Sequence, residues 1–439
     1  MRFFGREKEI CLLRNIRDLS NDVAQFTVIT GRRRIGKTSL VLKAYENTPI
    51  LYFFVTRKAE KDLCESFANE ITEKLNLPIL GELTSFAQIF KFLMQFSEKQ
   101  SITLVIDEFQ EFYRVNSSVF SEMQQIWDLY HGTSKINLVV CGSIYSMMNR
   151  IFCDKKEPLF NRQTQFIHLK PFTPSVLKLI LAEYNPKYKP EDLLALYTFT
   201  GGVAKYVQLL VDNKVITKEE MLNHIIKQDS VFIGEGKNIL IEEFGRDYSI
   251  YFSILSVISR GRTSRSEIEQ FVGREIAGYL TRLEIDYNLI SKVQPLFEKT
   301  TSKNVRYTIT DNFLRFWFRF VYKYNYIIEI DGYEQLKAII NRDYDTFSGI
   351  ALERYFYDVL MERQQSTRIG RWWDRKGENE IDLVSENELE NIAVFYEVKR
   401  SKRNIDLNLL KKKSYCFLKT TGEFQDYTLY YEGLSLDDM

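Results

Sequence analysis

Residues 31–38 read Gly31-Arg32-Arg33-Arg34-Ile35-Gly36-Lys37-Thr38, and they follow directly on the apolar run Phe26-Thr27-Val28-Ile29-Thr30. The pattern G-x-x-x-x-G-K-[ST] here stands between a buried strand and, in Ser39-Leu40-Val41-Leu42-Lys43-Ala44, a helix start. Gly31 and Gly36 permit torsions that a Cβ would block, so the backbone N–H groups from Gly31 through Arg32, Arg33, Arg34 and Ile35 to Gly36 can turn inward on one anion. Lys37 then reaches the outer phosphates of a nucleotide, the Thr38 hydroxyl is placed to ligate Mg²⁺, and the helix beginning at Ser39 turns its positive dipole end toward the same charge. A surface turn with a basic tip is the competing reading, and three successive arginines would suit it. The strand before and the helix after favour a nucleoside triphosphate, ATP.

Working outward, a P-loop needs a second strand ending in acid. Ile102-Thr103-Leu104-Val105-Ile106-Asp107-Glu108 supplies it: an unbroken apolar run, as in a central parallel strand covered on both faces, closed by two carboxylates. Asp107 is expected to hold Mg²⁺ and Glu108 to orient and deprotonate the attacking water. Further strands are expected over 50–55, 136–141 and 164–169, separated by helices over 62–75, 85–96 and 117–130. This alternation predicts an α/β fold around a parallel sheet, with ligand at the carboxyl ends of the strands. The run over 136–141 leads into Gly142-Ser143, where Ser143 is placed to sense the γ-phosphate or to cap the next helix.

Composition narrows the class. The chain has 439 residues, 45% apolar and 27% charged, which is enough for two to four domains. A net charge of +1 gives no global argument for nucleic acid or membrane. Five scattered cysteines and three scattered histidines fit neither a zinc site nor a disulfide framework, and point to a cytoplasmic setting. The stretch over 313–322 is aromatic, yet it is too short to span a bilayer and carries Arg315 and Arg319, so it reads as a helix with a broad aromatic face and no membrane role.

Phe4-Gly5-Arg6-Glu7-x-Glu9, the phosphate loop, Leu104-Val105-Ile106-Asp107-Glu108, Cys141-Gly142-Ser143, Leu159-Phe160-Asn161-Arg162 and Thr200-Gly201-Gly202 follow one another in order. Together they resemble the archaeal-type ATPases of the signal-transduction (STAND) class of P-loop NTPases, relatives of AAA+ proteins. The resemblance implies that Arg6 contacts the nucleotide near its adenine and that Arg162 contacts the γ-phosphate, in its own subunit or across subunits of a homo-oligomer. It also implies a helical lid over 171–245. Ala204 stands where the family usually has proline, which weakens the lid's own nucleotide contact.

Beyond the lid, three helical patterns followed by strands over 289–293 and 306–309 have winged-helix spacing. Arg260, Arg262, Arg265 and Arg274 are available to DNA phosphates, but Glu267, Glu269 and Glu275 lie among them. The patch is therefore mixed, and the resemblance to STAND ATPases, in which this module often packs as an arm on the ATPase core, implies a packing arm in preference to a DNA reader. In the last ninety residues, Glu380-Ile381-Asp382 and Glu397-Val398-Lys399 each place two charged side chains on one face of a strand. If the strands pair, Asp382, Glu397 and Lys399 converge, giving two carboxylates for a divalent cation beside a lysine. The order resembles the PD-(D/E)XK nuclease superfamily, which implies Glu353 as the helical acid, Asp382 as the central metal ligand and Glu397-x-Lys399 as the final pair; Ile381 takes the place of the usual proline. A basic run over 399–403 and Lys411-Lys412-Lys413 adds a surface for DNA or RNA. Trp372-Trp373 reads as core rather than base stacking.

The sequence thus predicts an ATPase core over 1–170, a lid over 171–245, a winged helix over 246–330 and a nuclease-like domain over 331–439. Two functions stay open: an ATP-regulated nuclease, or a nucleotide-driven switch whose last domain only binds a partner. A P-loop kinase is a weaker third class, since no acceptor-binding motif is evident.

Overall fold

Five apolar runs assemble into one parallel sheet: β1 (Gln25–Thr30), β2 (Leu51–Phe54), β3 (Ile102–Asp107), β4 (Ile136–Gly142) and β5 (Gln165–His168), in the order β2-β3-β4-β1-β5. This computed structural model describes residues 1–76, 83–244 and 248–439. Strands β3 and β4 are buried along their whole length, as expected for apolar runs without alternation in the middle of a sheet covered on both faces. Register fixes the functional edge. Thr30 pairs with Gly142 and with His168, and Phe54 pairs with Asp107, so the chain leaves β1, β3, β4 and β5 on one side. Phe26, Phe109, Phe152 and Trp127 lie in the core beneath.

Packing divides the described chain into two units, Gly5–Lys170 and Met1–Phe4 with Pro171–Met439. The first four residues leave the sheet unit because the Met1 ammonium pairs with Asp212, Arg2 pairs with Glu183, and Phe4 packs edge-on to Tyr184. Residues 171–245, expected as a lid, are built into the second unit. Helix Pro190–Thr200 is buried on every side from Asp192 to Thr200, which is why it shows no amphipathic stripe. Phe199 packs on Phe316 and Tyr344, and the Tyr197 hydroxyl donates to Asp358 at 2.6 Å. Arg400 reaches Glu191 of the same helix at 2.6 Å and the Ser348 hydroxyl at 2.6 Å. Helix Val231–Phe244, within the region expected as the helical lid, runs through Gly234 and Gly236. A Cβ at Gly236 would stand 2.3 Å from the Trp317 ring, so glycine is what lets the indole lie against this helix.

Helices Tyr248–Ser259, Arg265–Val272 and Ala277–Thr281 precede the antiparallel pair β6 (Ile290–Val293) and β7 (Arg306–Ile309), matching the expected spacing. The aromatic stretch begins as helix Asn312–Phe316 and continues as a π-helical turn, Trp317–Tyr322. The last part runs helix Tyr333–Arg363, β8 (Arg368–Trp373), β9 (Glu380–Asn387), β10 (Ile392–Val398), helix Leu407–Thr421 and β11 (Thr428–Leu434). Its sheet has the order β11-β10-β9-β8. Strands β8, β9 and β10 form an antiparallel meander, and β11 lies parallel to β10 because helix Leu407–Thr421 carries the chain across. Trp372, Ile381, Val384, Phe395 and Phe417 fill the core, joined by Leu296 and Phe297 from the loop between β6 and β7. No helix among the described residues is long and apolar enough to cross a membrane.

Candidate functional site

The phosphate loop leaves β1 with Gly31 at φ 154° and enters helix Lys37–Ala44 through Gly36 at φ 98°. A Cβ at Gly31 would meet the Leu169 carbonyl oxygen at 2.7 Å, so both torsion and space require glycine. Lys37 is 7% exposed and donates to the Gly31 carbonyl at 2.9 Å and to the Arg32 carbonyl at 3.3 Å. Burial lowers its pKa, while Glu108, Cys141 and Asp107 pull it back up. A buried ammonium whose hydrogen bonds go to two neutral carbonyls is a cation that an anionic ligand can recruit. The loop therefore fits a nucleotide phosphate.

The carboxyl ends of β3 and β4 meet this loop. The Thr38 hydroxyl donates to Asp107 Oδ2 at 2.7 Å, and the Tyr52 hydroxyl from β2 donates to the same oxygen at 2.6 Å. The Glu108 N–H donates to Asp107 Oδ1 at 2.9 Å. Burial and then Asp107 push the Tyr52 phenol above its ordinary range, so it stays a donor. A hydroxyl and a carboxylate in contact are hard oxygen donors suited to Mg²⁺. Glu108 has φ 54°, and its Oε2 accepts from Ser143 Oγ at 2.7 Å and from Gln110 Nε2. Ser143 thus touches the acid, two residues ahead of helix Tyr145–Cys153, whose N-cap is Ile144. The structure brings together Lys37, Thr38, Asp107, Glu108 and Ser143, all singled out in the sequence. It adds Tyr52 and Gln110, which no local pattern marks; only the pairing of β2 with β3 makes a tyrosine in an apolar run a partner of Asp107.

Arg6 lies in left-handed conformation ahead of helix Glu7–Leu19 and donates to the Lys170 carbonyl at 2.6 Å. Lys170 follows β5, so Arg6 sits on the phosphate-loop edge, where burial lowers its pKa. Arg162 does not. It precedes the start of β5, where Gln165 pairs with Thr27, and so lies at the opposite edge of a parallel sheet. Its guanidinium is held by Asp128 at 3.1 and 3.3 Å and by the Phe160 carbonyl at 3.0 Å. Contact with a γ-phosphate in its own subunit is corrected by this register, and only the form of the expectation that reaches across subunits is compatible with it.

In the second unit, Glu353, Asp382, Glu397 and Lys399 also converge. Lys399 Nζ lies 3.0 Å from Asp382 Oδ2 and 3.6 Å from Glu397 Oε1. Backbone N–H groups of Val398 and Asp406 donate to Asp382 and Glu397, each at 2.8 Å. Glu353 is paired with Arg371. Burial pushes the Glu353 carboxyl up to about 7; Asp382 and Glu380 act in the same direction, against Arg371 and Lys399. Burial pulls Lys399 down, but Asp382 and Glu397 outweigh it and raise its pKa. Among the described residues no group of three or more His, Cys, Asp or Glu side chains is arranged to hold a metal ion. The expected ligand set of Glu353, Asp382 and Glu397 is present as ion pairs, and a divalent cation does not fit it as it stands. In the middle module, Arg265 is paired with Glu269 and Glu275, and Arg260 and Arg262 lie over the Phe271 ring.

Comparison with known proteins agrees with this layout. Residues 3–210 match a family described as an ATPase domain predominantly from Archaea, and residues 317–413 match one described as "Archaea bacterial proteins of unknown function". A Walker-type ATPase of Pyrococcus abyssi shares the fold, with a TM-score of 0.54 at 19% identity over 72% of this chain and 96% of that one. An ORC2 protein of Aeropyrum pernix is more distantly similar, with a TM-score of 0.48 at 14% identity over 77% and 95% of the two chains. An uncharacterised protein of Methanocaldococcus jannaschii is 31% identical over 442 residues, spanning 98% of this chain and 94% of the relative. The chain therefore belongs to that relative's family, and within this chain the match to an archaeal ATPase domain is followed by the match to proteins of unknown function.

Proposed function

We propose that this protein is a Mg²⁺-dependent, STAND-type ATPase that works as a nucleotide-driven switch, with a nuclease-like C-terminal domain that binds DNA or RNA. The observation that carries the ATPase reading is the meeting of Lys37, Thr38, Asp107, Glu108 and Ser143 at one sheet edge. Gly31, the N–H groups of residues 32–36, Lys37 and Ser39 would hold the phosphates, with Arg6 nearby. Thr38 and Asp107 would hold Mg²⁺, which when bound supplies charge neutralisation of the phosphate oxygens. Glu108 orients and deprotonates water. Its Oε2 accepts a hydrogen bond from the Ser143 hydroxyl in this state. A γ-phosphate oxygen that takes that hydroxyl's hydrogen bond instead leaves Oε2 with one donor fewer and the carboxylate a stronger base toward water. Such a difference in contacts between states is what allows a ligand to bias a conformational equilibrium. Arg162 is assigned to a neighbouring subunit's nucleotide in a homo-oligomer.

Support for the C-terminal reading comes from the meander that gathers Asp382, Glu397 and Lys399 beside Glu353, and from the exposed basic residues Lys402, Arg403, Lys411 and Lys412. Because the carboxylates are ion-paired, binding without cleavage is the favoured form. A catalytic nuclease is the second reading, favoured by the convergence of Asp382, Glu397 and Lys399. Incubating plasmid DNA and RNA with the full chain and Mg²⁺ separates the two. Uncut substrate that shifts in a gel supports binding, whereas cleavage lost in both Asp382→Ala and Lys399→Ala establishes the nuclease. For the ATPase reading, phosphate release should vanish in Asp107→Ala; release undiminished in that variant overturns the site.

A further inference from the structure

Four carboxylates and three cations meet in the C-terminal cluster, and the cations come from different parts of the chain. Lys399 bridges Asp382 and Glu397. Arg371, on β8, pairs with Glu353 and lies 3.8 Å from Glu380. Arg306, on β7 of the winged-helix module, reaches Glu380 at 2.8 Å and stacks 4.3 Å above the Trp373 ring. We propose that Arg371 is a tethered counter-ion that closes this cluster to divalent cations, and that Arg306 locks the closed form by holding Glu380. The proposal rests on reading Glu353, Asp382, Glu397 and Lys399 as one site.

A hard divalent cation needs several oxygen ligands free to turn toward it. Here Asp382 and Glu397 accept backbone N–H groups and share Lys399, while Glu353 and Glu380 share the Arg371 guanidinium. The guanidinium joins acids of two elements, Glu353 on helix Tyr333–Arg363 and Glu380 on β9, beside the residues that would hold a cation. It does so incompletely: the Arg371 Nε is buried without a hydrogen-bond acceptor among the described residues, so the arginine neutralises charge without satisfying its whole fork. The residues beside the acids are held in turn by the winged-helix module. Trp373 Nε1 donates to Asn304 at 2.8 Å, the Leu296 N–H donates to the Arg371 carbonyl at 2.8 Å, and Leu296 lies against Gly370 so closely that a Cβ there would meet it at 2.6 Å. The backbone of Arg371 is thus pinned by the loop between β6 and β7. Opening the cluster requires the winged-helix hairpin to shift, which makes metal access a property of that module's position.

Electron paramagnetic resonance titration of Mn²⁺ into the nucleotide-free full chain tests this, comparing wild type, Asp382→Ala, Arg371→Gln, Arg371→Lys and Arg371→Gln with Asp382→Ala. The proposal expects wild type, Asp382→Ala and Arg371→Lys to bind alike. Arg371→Gln should gain one site at least tenfold tighter than any in wild type, and the added Asp382→Ala should abolish it. A wild-type site that Asp382→Ala removes keeps the single-site reading and overturns the counter-ion. A gained site indifferent to Asp382→Ala overturns the single-site reading itself. No gain in Arg371→Gln, with its melting curve unchanged, also overturns the counter-ion. If that variant does not fold, the comparison of wild type with Asp382→Ala still decides: identical binding supports the proposal and a difference refutes it.

Discussion

Replacing Glu108 by glutamine should separate nucleotide binding from hydrolysis, and the structure says why the separation should be clean. Both hydrogen bonds that hold the carboxylate, from Ser143 and from Gln110, end on Oε2. Glutamine keeps an oxygen at that position and places its NH₂ where Oε1 was, so both bonds survive and the left-handed turn at residue 108 keeps its restraints. Binding of ATP should then stay within about threefold of wild type, a change below ~1 kcal/mol. What is lost is the base. General-base assistance is worth roughly 10²–10⁴-fold, or about 2.7–5.5 kcal/mol of barrier. Single-turnover hydrolysis of γ-labelled ATP, alongside the dissociation constant from fluorescence titration, measures both quantities. Turnover in Glu108→Gln within a few-fold of wild type would remove this residue from the chemistry. Affinity reduced more than about thirtyfold would mean that its charge, rather than its basicity, matters.

Three further outcomes follow from particular contacts. Tyr52→Phe removes one of two hydroxyls on Asp107 Oδ2; with the phenol half-buried, stability without nucleotide should fall by about 1–2 kcal/mol, read from urea unfolding, and an unchanged midpoint would deny the bond any weight. Arg162→Ala should leave ATP affinity of a dilute monomer within about twofold while lowering turnover only at concentrations where subunits associate; a loss of monomer affinity would contradict the register that separates it from the loop. Phe297→Ala should destabilise the C-terminal sheet by about 2–3 kcal/mol, since the ring lies 5.3 Å from Phe424 and 6.1 Å from Phe417, and limited proteolysis should show faster cleavage after β8; unaltered proteolysis would mean the loop between β6 and β7 is not part of that core.

Some of the architecture was legible because burial leaves a one-dimensional mark. The run over 102–108 has no polar residue before its two acids beyond one threonine, and all of it but Glu108 is the strand Ile102–Asp107. The phosphate loop and its two acids were readable for the same reason, since glycine, lysine and carboxylate types are fixed by local torsion and charge. Other elements depend on partners far along the chain. Of helix Tyr333–Arg363 only Glu353 was singled out, because the first half is polar and is ordered by packing through Leu336, Ile340 and Tyr344. Strand β11 alternates half-buried and exposed residues at a sheet edge, and nothing local separates that from a loop. Helix Val231–Phe244 carries Gly236, a poor helix former in sequence whose missing Cβ leaves room for the Trp317 ring. The candidate sites divide in the same way. Lys37, Thr38, Asp107, Glu108 and Ser143 were visible as types at spacings, whereas Tyr52, Gln110, Arg306 and Arg371 gain their partners only through strand pairing and a long loop. Arg162 was misplaced within its own chain because spacing along the sequence does not say at which edge of a parallel sheet a residue stands.

The most direct test of the whole account is isothermal calorimetry of ATP with Mg²⁺ into the intact protein and into Lys37→Ala. The buried ammonium between the Gly31 and Arg32 carbonyls predicts a single saturable heat in the intact protein, and an affinity at least about tenfold weaker, ~1.4 kcal/mol or more, in the variant. Absence of heat from the intact protein, or equal affinity in Lys37→Ala, would contradict the assignment of this loop to a nucleotide's phosphates.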